Sequence, residues 1–258
     1  MRITSYWGFL RSLVIYYRPT KRSQWLKFYK NTLPKNSLVF DIGAHVGSKT
    51  RSMRNAGAKV VALEPQQPFA GFLKKTLPSD VVFIEAAAGE NEAEAQMSVS
   101  TKHPTVSSLR EDFVSSASSA PGFKKVKWDQ KQLVRITTLD SLISQYGLPN
   151  YIKIDVEGFE LEVLKGLSHS VELISFEVLA GFPKLAIEVL DRVSQLGEYE
   201  FNLVIGEKAI FSWQQWQEKK VVENWIENQS PSSKSADLLA AGSPAPENSP
   251  AFTECAGK

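Results

Sequence analysis

The residues of this 258-residue chain whose types and spacing could do chemistry are acids at the ends of short apolar runs. Asp41 lies in Leu38–Ile42, Glu64 follows Val60–Leu63, Asp155 and Glu157 follow Tyr151–Ile154, and Glu177 follows Leu173–Phe176. A carboxylate beside a buried run is costly unless something partners it. Ligands of open α/β sheets bind at the carboxyl ends of strands, so these acids should gather on one rim and welcome a cationic ligand. Side chains alternate along a strand, which puts Lys153 and Asp155 on one face, with Glu157 joining them if the extension persists. The plainer reading of Asp155 and Glu157 is capping of a helix that begins near Phe159.

The turn after the first run, Gly43-Ala44-His45-Val46-Gly47, narrows the ligand. Glycines there free backbone N–H groups for close approach, and Glu64, some twenty residues on, stands where an acid accepts from ribose hydroxyls. A dinucleotide wants G-x-G-x-x-G, but His45 occupies the second glycine position. A nucleoside triphosphate wants G-x-x-x-x-G-K-[ST]; Gly43 to Thr50 comes close, with Lys49 and Thr50 in place, but Ser48 replaces the glycine before the lysine. Asp41 would also repel phosphates. S-adenosylmethionine carries a sulfonium and an ammonium and no phosphate, and so suits the acid best. A turn that merely shapes a generic α/β domain is the bland alternative.

Taken together, DIGAHVG at Asp41 to Gly47, ALEPQ at Ala62 to Gln66 and IKIDVEGFELEVLKG at Ile152 to Gly166 resemble the FkbM family of S-adenosylmethionine-dependent methyltransferases, from about Leu38 to Val204. The IDVEG element is the specific part, and His45 departs from the Asn of many relatives. The resemblance implies a Rossmann-like class I methyltransferase fold, α/β, with a mostly parallel sheet, a closing antiparallel strand and helices on both faces. It implies a cofactor site of Asp41, Gly43, His45, Gly47, Glu64, Glu85, Ala86 and Asp155. It also implies methylation of a hydroxyl on a sugar, polyketide or similar metabolite. An alcohol keeps its proton at neutral pH, so a base or metal is useful. Asp155 is the expected base or orienting acceptor, with Lys153, Glu157 and Glu177 on the acceptor side. A divalent cation on Asp155, Glu157 and Glu177 is chemically open, but the sequence does not support one, and no metal ligand is assigned. The competing functions are a non-catalytic binding or membrane-docking module and a P-loop hydrolase. Nucleic acid is not an expected partner, because the basic residues cluster in one prefix.

That prefix, residues 1–36, holds Arg2, Arg11, Arg18, Lys21, Arg22, Lys27, Lys30 and Lys35 and no acid. Trp7, Leu10, Val14 and Tyr17 recur at helical spacing, as do Trp25, Phe28 and Tyr29, which predicts two short helices broken near Pro19. Their apolar faces either pack on the core or meet an anionic membrane, and the charges could also rim the site of an acidic substrate. Residues 37–228 form the methyltransferase domain, in which Ala95–Val99 is an added strand and Ser107–Leu109 and Ser115–Ser119 are a lid or plain insertion. Phe201–Ile205 and Ala209–Phe211 should close the sheet as an antiparallel pair, before a last helix over Trp213–Ile226. Residues 229–258, rich in Ser, Pro, Ala and Gly, read as a disordered tail. The net charge of +2 excludes no partner. The single cysteine, Cys255, rules out a disulfide framework and fits a cytoplasmic enzyme, peripheral to the membrane if the prefix docks there.

Overall fold

The computed structural model describes residues 3–110, 113–115 and 126–242. Two helices, α1 (Ile3–Tyr16) and α2 (Pro19–Thr32), precede an alternation of strands and helices. These are β1 (Leu38–Ile42), α3 (Ser48–Asn55), β2 (Lys59–Leu63), α4 (Phe69–Thr76) and β3 (Val82–Ile84). A small subsheet follows, of β4 (Ala87–Ala88), β5 (Ala93–Val99) and β6 (Gln130–Thr137). Then come α5 (Leu139–Tyr146), β7 (Tyr151–Ile154), α6 (Glu160–Lys165), β8 (Leu173–Val178), α7 (Pro183–Leu196), β9 (Tyr199–Ile205), α8 (Lys219–Glu227) and β10 (Ala236–Gly242).

The main sheet runs β3-β2-β1-β7-β8-β10-β9. β3, β2, β1, β7 and β8 are mutually parallel, and β10 is antiparallel to both neighbours. Alternating side chains split the core. Phe40, Ile42, Val61 and Ile152 pack with Leu142 of α5, Val163 of α6, Val189 of α7 and Val222 of α8. On the other face, Val39, Val60, Ala62, Tyr151 and Leu239 pack with Trp25, Phe28 and Tyr29 of α2, Met53 of α3 and Leu73 of α4. α7 follows its sequence closely: Pro183 opens it, and Ala186, Val189, Leu190 and Val193 form its buried stripe.

Three expectations are corrected. Residues 236–242 are not a disordered tail: β10 is wedged between β8 and β9, and Leu238 and Ala240 are fully buried. A run as bland as ADLLAAG carries little strand propensity of its own, and its two long-range partners supply the order. Residues 243–258, with Cys255, lie outside the described residues, as do 116–119 of the expected lid. β9 pairs with β10 on one side, and its other edge carries an isolated antiparallel bridge of Phe201 with Gln217, while Ala209–Phe211 forms no strand; the expected last helix begins at Lys219 and not at Trp213. Finally, α2 packs as its ring spacing predicts, but α1 presents Leu10 and Val14 outward, 50% and 68% exposed. Its inner side is Gly8, Phe9 and Ser12; Phe9 meets Phe69 and Phe72 of α4, and Gly8 lies so close to Thr101 and Pro104 that a side chain would collide. Among the described residues no helix is long and apolar enough to cross a membrane.

Candidate active site

The sheet's register assembles the site. Asp41 is paired laterally with Lys153, Lys153 with Ser175, and Glu177 with Asp237. These positions share the parity of Val39, Tyr151, Leu173 and Leu239, so a polar row crosses the face covered by α2 and α3. Lys153 Nζ sits 3.2 Å from Asp41 Oδ1 and 3.3 Å from Asp155 Oδ2, and donates to the Gly43 carbonyl at 3.3 Å. Lys49 Nζ, from the first turn of α3, donates to Asp237 Oδ2 at 2.9 Å and lies 3.7 Å from Asp155 Oδ2. It also rests 4.8 Å above the Trp25 ring. Burial opposes both ammonium charges, yet the surrounding carboxylates hold both lysines above their ordinary range. Burial likewise opposes the Asp155 carboxylate, and Lys153 and Lys49 overcome it and hold the group down at about 2. Asp155 is therefore an ion at neutral pH and a weak proton acceptor.

These contacts remove the P-loop reading. Lys49 is engaged with acids, and Thr50 donates its hydroxyl to Asp41 Oδ2, so neither is available to a phosphate. They also correct the expectation for Asp41, which is wholly buried between Thr50 and Lys153 and supports the turn without facing the ligand cavity.

A cavity of about 310 Å³ opens at the strand ends. Gly43, with φ 78°, forms part of its wall; a Cβ there would collide with the Asp155 carbonyl. Gly47, with φ 75°, starts α3 and lies behind the wall. Glu64 Oε2 accepts the His45 N–H at 2.7 Å and its Oε1 accepts the Gln66 N–H at 2.8 Å. Burial outweighs those bonds and lifts its carboxyl to about 7. The His45 ring, 4.3 Å from Phe69 and edge-on to Tyr16 at 5.1 Å, is lowered by burial to about 4 and stays neutral. Ala86, Ala87 and Ala88 form a flat wall, but Glu85 points outward to accept from Gln67 Nε2 at 2.7 Å. This corrects Glu85 as a cofactor residue: past β3 the chain alternates, and Ala86 takes the inward side.

The same cavity is lined by Lys49, Lys153, Asp155, Glu157, Glu177 and Asp237. Consecutive left-handed residues, Glu157 at φ 51° and Gly158 at φ 88°, bend the chain out of β7 and turn Glu157 to the cavity. Neither Asp155 nor Glu157 caps the helix, whose N-cap is Phe159 with no side-chain cap; Glu160 Oε1 instead ties down the preceding turn, accepting from the Gly158 N–H at 3.1 Å and the Val156 N–H at 3.4 Å. Ser107 and Leu109 of the expected lid do line the cavity, and Ser108 is tied to β5 by a backbone pair with Ser98. Sequence reasoning missed Tyr16, Gln66, Glu207 and Asp237, and read Lys49 only as a phosphate ligand. Asp237, an acid inside an apolar run, carried the same signal as Asp41.

The raised acids give a stability prediction. Glu64 and Glu160, both lifted to about 7 by burial, hold protons in the folded chain that the unfolded chain releases near pH 4.5. Their contribution is complete below that and is lost as pH rises through about 7. His45, lowered to about 4, acts oppositely between pH 6.5 and 4, with one proton against two. The melting temperature of the ligand-free protein should be higher at pH 6 than at pH 8, with the difference reduced in Glu64→Gln; a flat profile would contradict the burial of these carboxyls.

Six mutually parallel strands with one antiparallel strand, β10, inserted between the fifth and the sixth, a glycine turn after β1 and an acid after β2 define a class I methyltransferase scaffold. The sequence profile of the methyltransferase FkbM domain matches residues 41–227, and the chain belongs to that family. The hexuronic acid methyltransferase AglP of Haloferax volcanii is 26% identical over 148 residues, 56% of this chain and 56% of AglP, so this chain spans about half the length of the curated relative it matches. Among solved structures, a precorrin-6y C5,15-methyltransferase from Geobacter metallireducens aligns with TM-score 0.43 and 15% identity over 86% of each chain. A TehB-like SAM-dependent methyltransferase from Corynebacterium glutamicum aligns with TM-score 0.44 and 10% identity, over 85% of this chain and 87% of that one.

S-adenosylmethionine is the donor this family implies, and the cavity fits it. Glu64, held by two backbone N–H groups, is the residue that would accept from a ribose, and Ala86, Ala87 and Ala88 would face a base. His45 Nε2 and Gln66 Nε2, of two residues that line this cavity, are buried without hydrogen-bond partners.

Proposed function

We propose that this chain transfers a methyl group from S-adenosylmethionine to a hydroxyl of a sugar or similar metabolite. The observation that carries it is a single cavity lined by Glu64 together with Asp155, Glu157 and Glu177. The bound donor supplies an electrophilic methyl on a sulfonium. The alcohol oxygen bonds to that carbon as the carbon–sulfur bond breaks and its electron pair returns to sulfur. Asp155, fixed by Lys153 and Lys49, orients the reactants and Lys153 stays a charged support. The hydroxyl proton passes to the ionised member of the Glu157–Glu177 pair, whose burial and neighbouring carboxylates raise its affinity for protons. AglP, by its name, acts on a hexuronic acid, which offers hydroxyls and a carboxylate. The acids here disfavour an anionic acceptor and favour a neutral hydroxyl.

The test is incubation with isotopically labelled donor and a panel of neutral sugars and uronic acids. Label that survives mild alkali is an ether, as expected; alkali-labile label is an ester and would overturn the hydroxyl assignment. Label in no acceptor, without S-adenosylhomocysteine binding, would overturn the methyltransferase reading.

The outward face of α1 supports a second contact. Leu10, Val14, Arg11 and Arg18 are exposed together in a prefix without acids, which is the chemistry that settles on an anionic bilayer. Full-length protein should pellet with phosphatidylserine vesicles and not with phosphatidylcholine ones, and Leu10→Asp with Val14→Asp should release it. Equal pelleting of the double variant would exclude this face.

A further inference from the structure

The two lysines of the site do not neutralise its acids. Lys153 meets Asp41 and Asp155, Lys49 meets Asp237 and Asp155, and neither is within ion-pair distance of Glu157 or Glu177. Yet Asp155, Glu157 and Glu177 converge: one carboxylate oxygen of each lies within 4.8 Å of the other two. Ligands on opposite sides of Ca²⁺ are about 4.6–5.2 Å apart and those across Mg²⁺ about 4.0–4.2 Å, so the trio spans one hard divalent ion with little movement. A second observation points the same way. Glu177 Oε2 is shut off from solvent and has no hydrogen-bond partner. Both lysine contacts of Asp155 fall on Oδ2, which leaves Oδ1 for another ligand.

We infer that Asp155, Glu157 and Glu177 form a divalent-cation site on the acceptor side of the cavity. Three carboxylate oxygens leave open positions on a six-coordinate ion, and these face the cavity where a hydroxyl oxygen of the acceptor would bind. The uncoordinated carboxylate oxygens remain as acceptors for the hydroxyl proton. This rests on the hydroxyl methyltransferase reading and locates the acceptor's oxygen within it.

Mn²⁺ binding to the full chain saturated with S-adenosylhomocysteine, followed by electron paramagnetic resonance and calorimetry, is the test. One Mn²⁺ per chain is expected, displaced by Mg²⁺ or Ca²⁺, with affinity at least tenfold weaker in Glu177→Gln and in Glu157→Gln. S-adenosylhomocysteine affinity should change less than twofold in both, which also reports that each variant is folded. No Mn²⁺ bound at millimolar concentration, or equal binding by the variants, overturns the cation site and leaves the methyltransferase reading standing. Failure of the wild type to bind S-adenosylhomocysteine overturns that reading instead.

Discussion

Lys153→Ala is expected to remove about 3–5 kcal/mol of folding stability, the range for a buried ion pair that loses one partner. The Lys153 side chain is 5% exposed and that of Asp41 is not exposed at all, so Asp41 would be left as an uncompensated charge beneath the glycine turn. Asp155 would lose its nearer cation and keep Lys49 at 3.7 Å. The Gly43 carbonyl would lose a donor as well. Urea unfolding measures the loss as a lowered midpoint with an unchanged slope. Replacing both members, as Asp41→Asn with Lys153→Met, should recover most of it, because the cost lies in the orphaned charge. A single variant within 1 kcal/mol of wild type would contradict a buried Lys153–Asp41 ion pair.

Glu64→Ala should weaken S-adenosylhomocysteine binding by about 100-fold. Two hydrogen bonds from ribose hydroxyls at ~1.5 kcal/mol each account for that factor. The carboxylate is pre-positioned, since the His45 and Gln66 N–H groups each hold one of its oxygens and the remaining lone pairs are left for the ligand. Removing it also leaves those two N–H groups unpaired, so the turn itself loosens. Glu64→Gln keeps one acceptor and should fall between the two. Calorimetry decides the matter: a dissociation constant within threefold of wild type for Glu64→Ala would place the ribose elsewhere.

Where a residue's position followed from its own strand, the sequence was a good guide. Glu64 and Asp155 sit at the ends of runs that became β2 and β7, and local alternation carried them to the cavity, whereas Glu157 reaches it through a left-handed turn in place of the extension the sequence suggested. Glu85 failed by the same rule, because one further residue of alternation put Ala86 inside. Asp41 failed because its partner, Lys153, lies on a neighbouring strand, and register between strands is not a local property.

Composition and periodicity alone determined the α/β order, the glycine turn, the acids after β2 and β7, and the inner face of α2, because each depends on residues within a turn or a strand of one another. Tertiary structure decided which acids are neutralised and which are not. Asp237 reaches Lys49 only because β10 inserts between β8 and β9, and Tyr16 reaches His45 only because α1 lies across the turn with Leu10 and Val14 outward. Both depend on contacts between distant parts of the chain, where burial and charge pairing outweigh local preference.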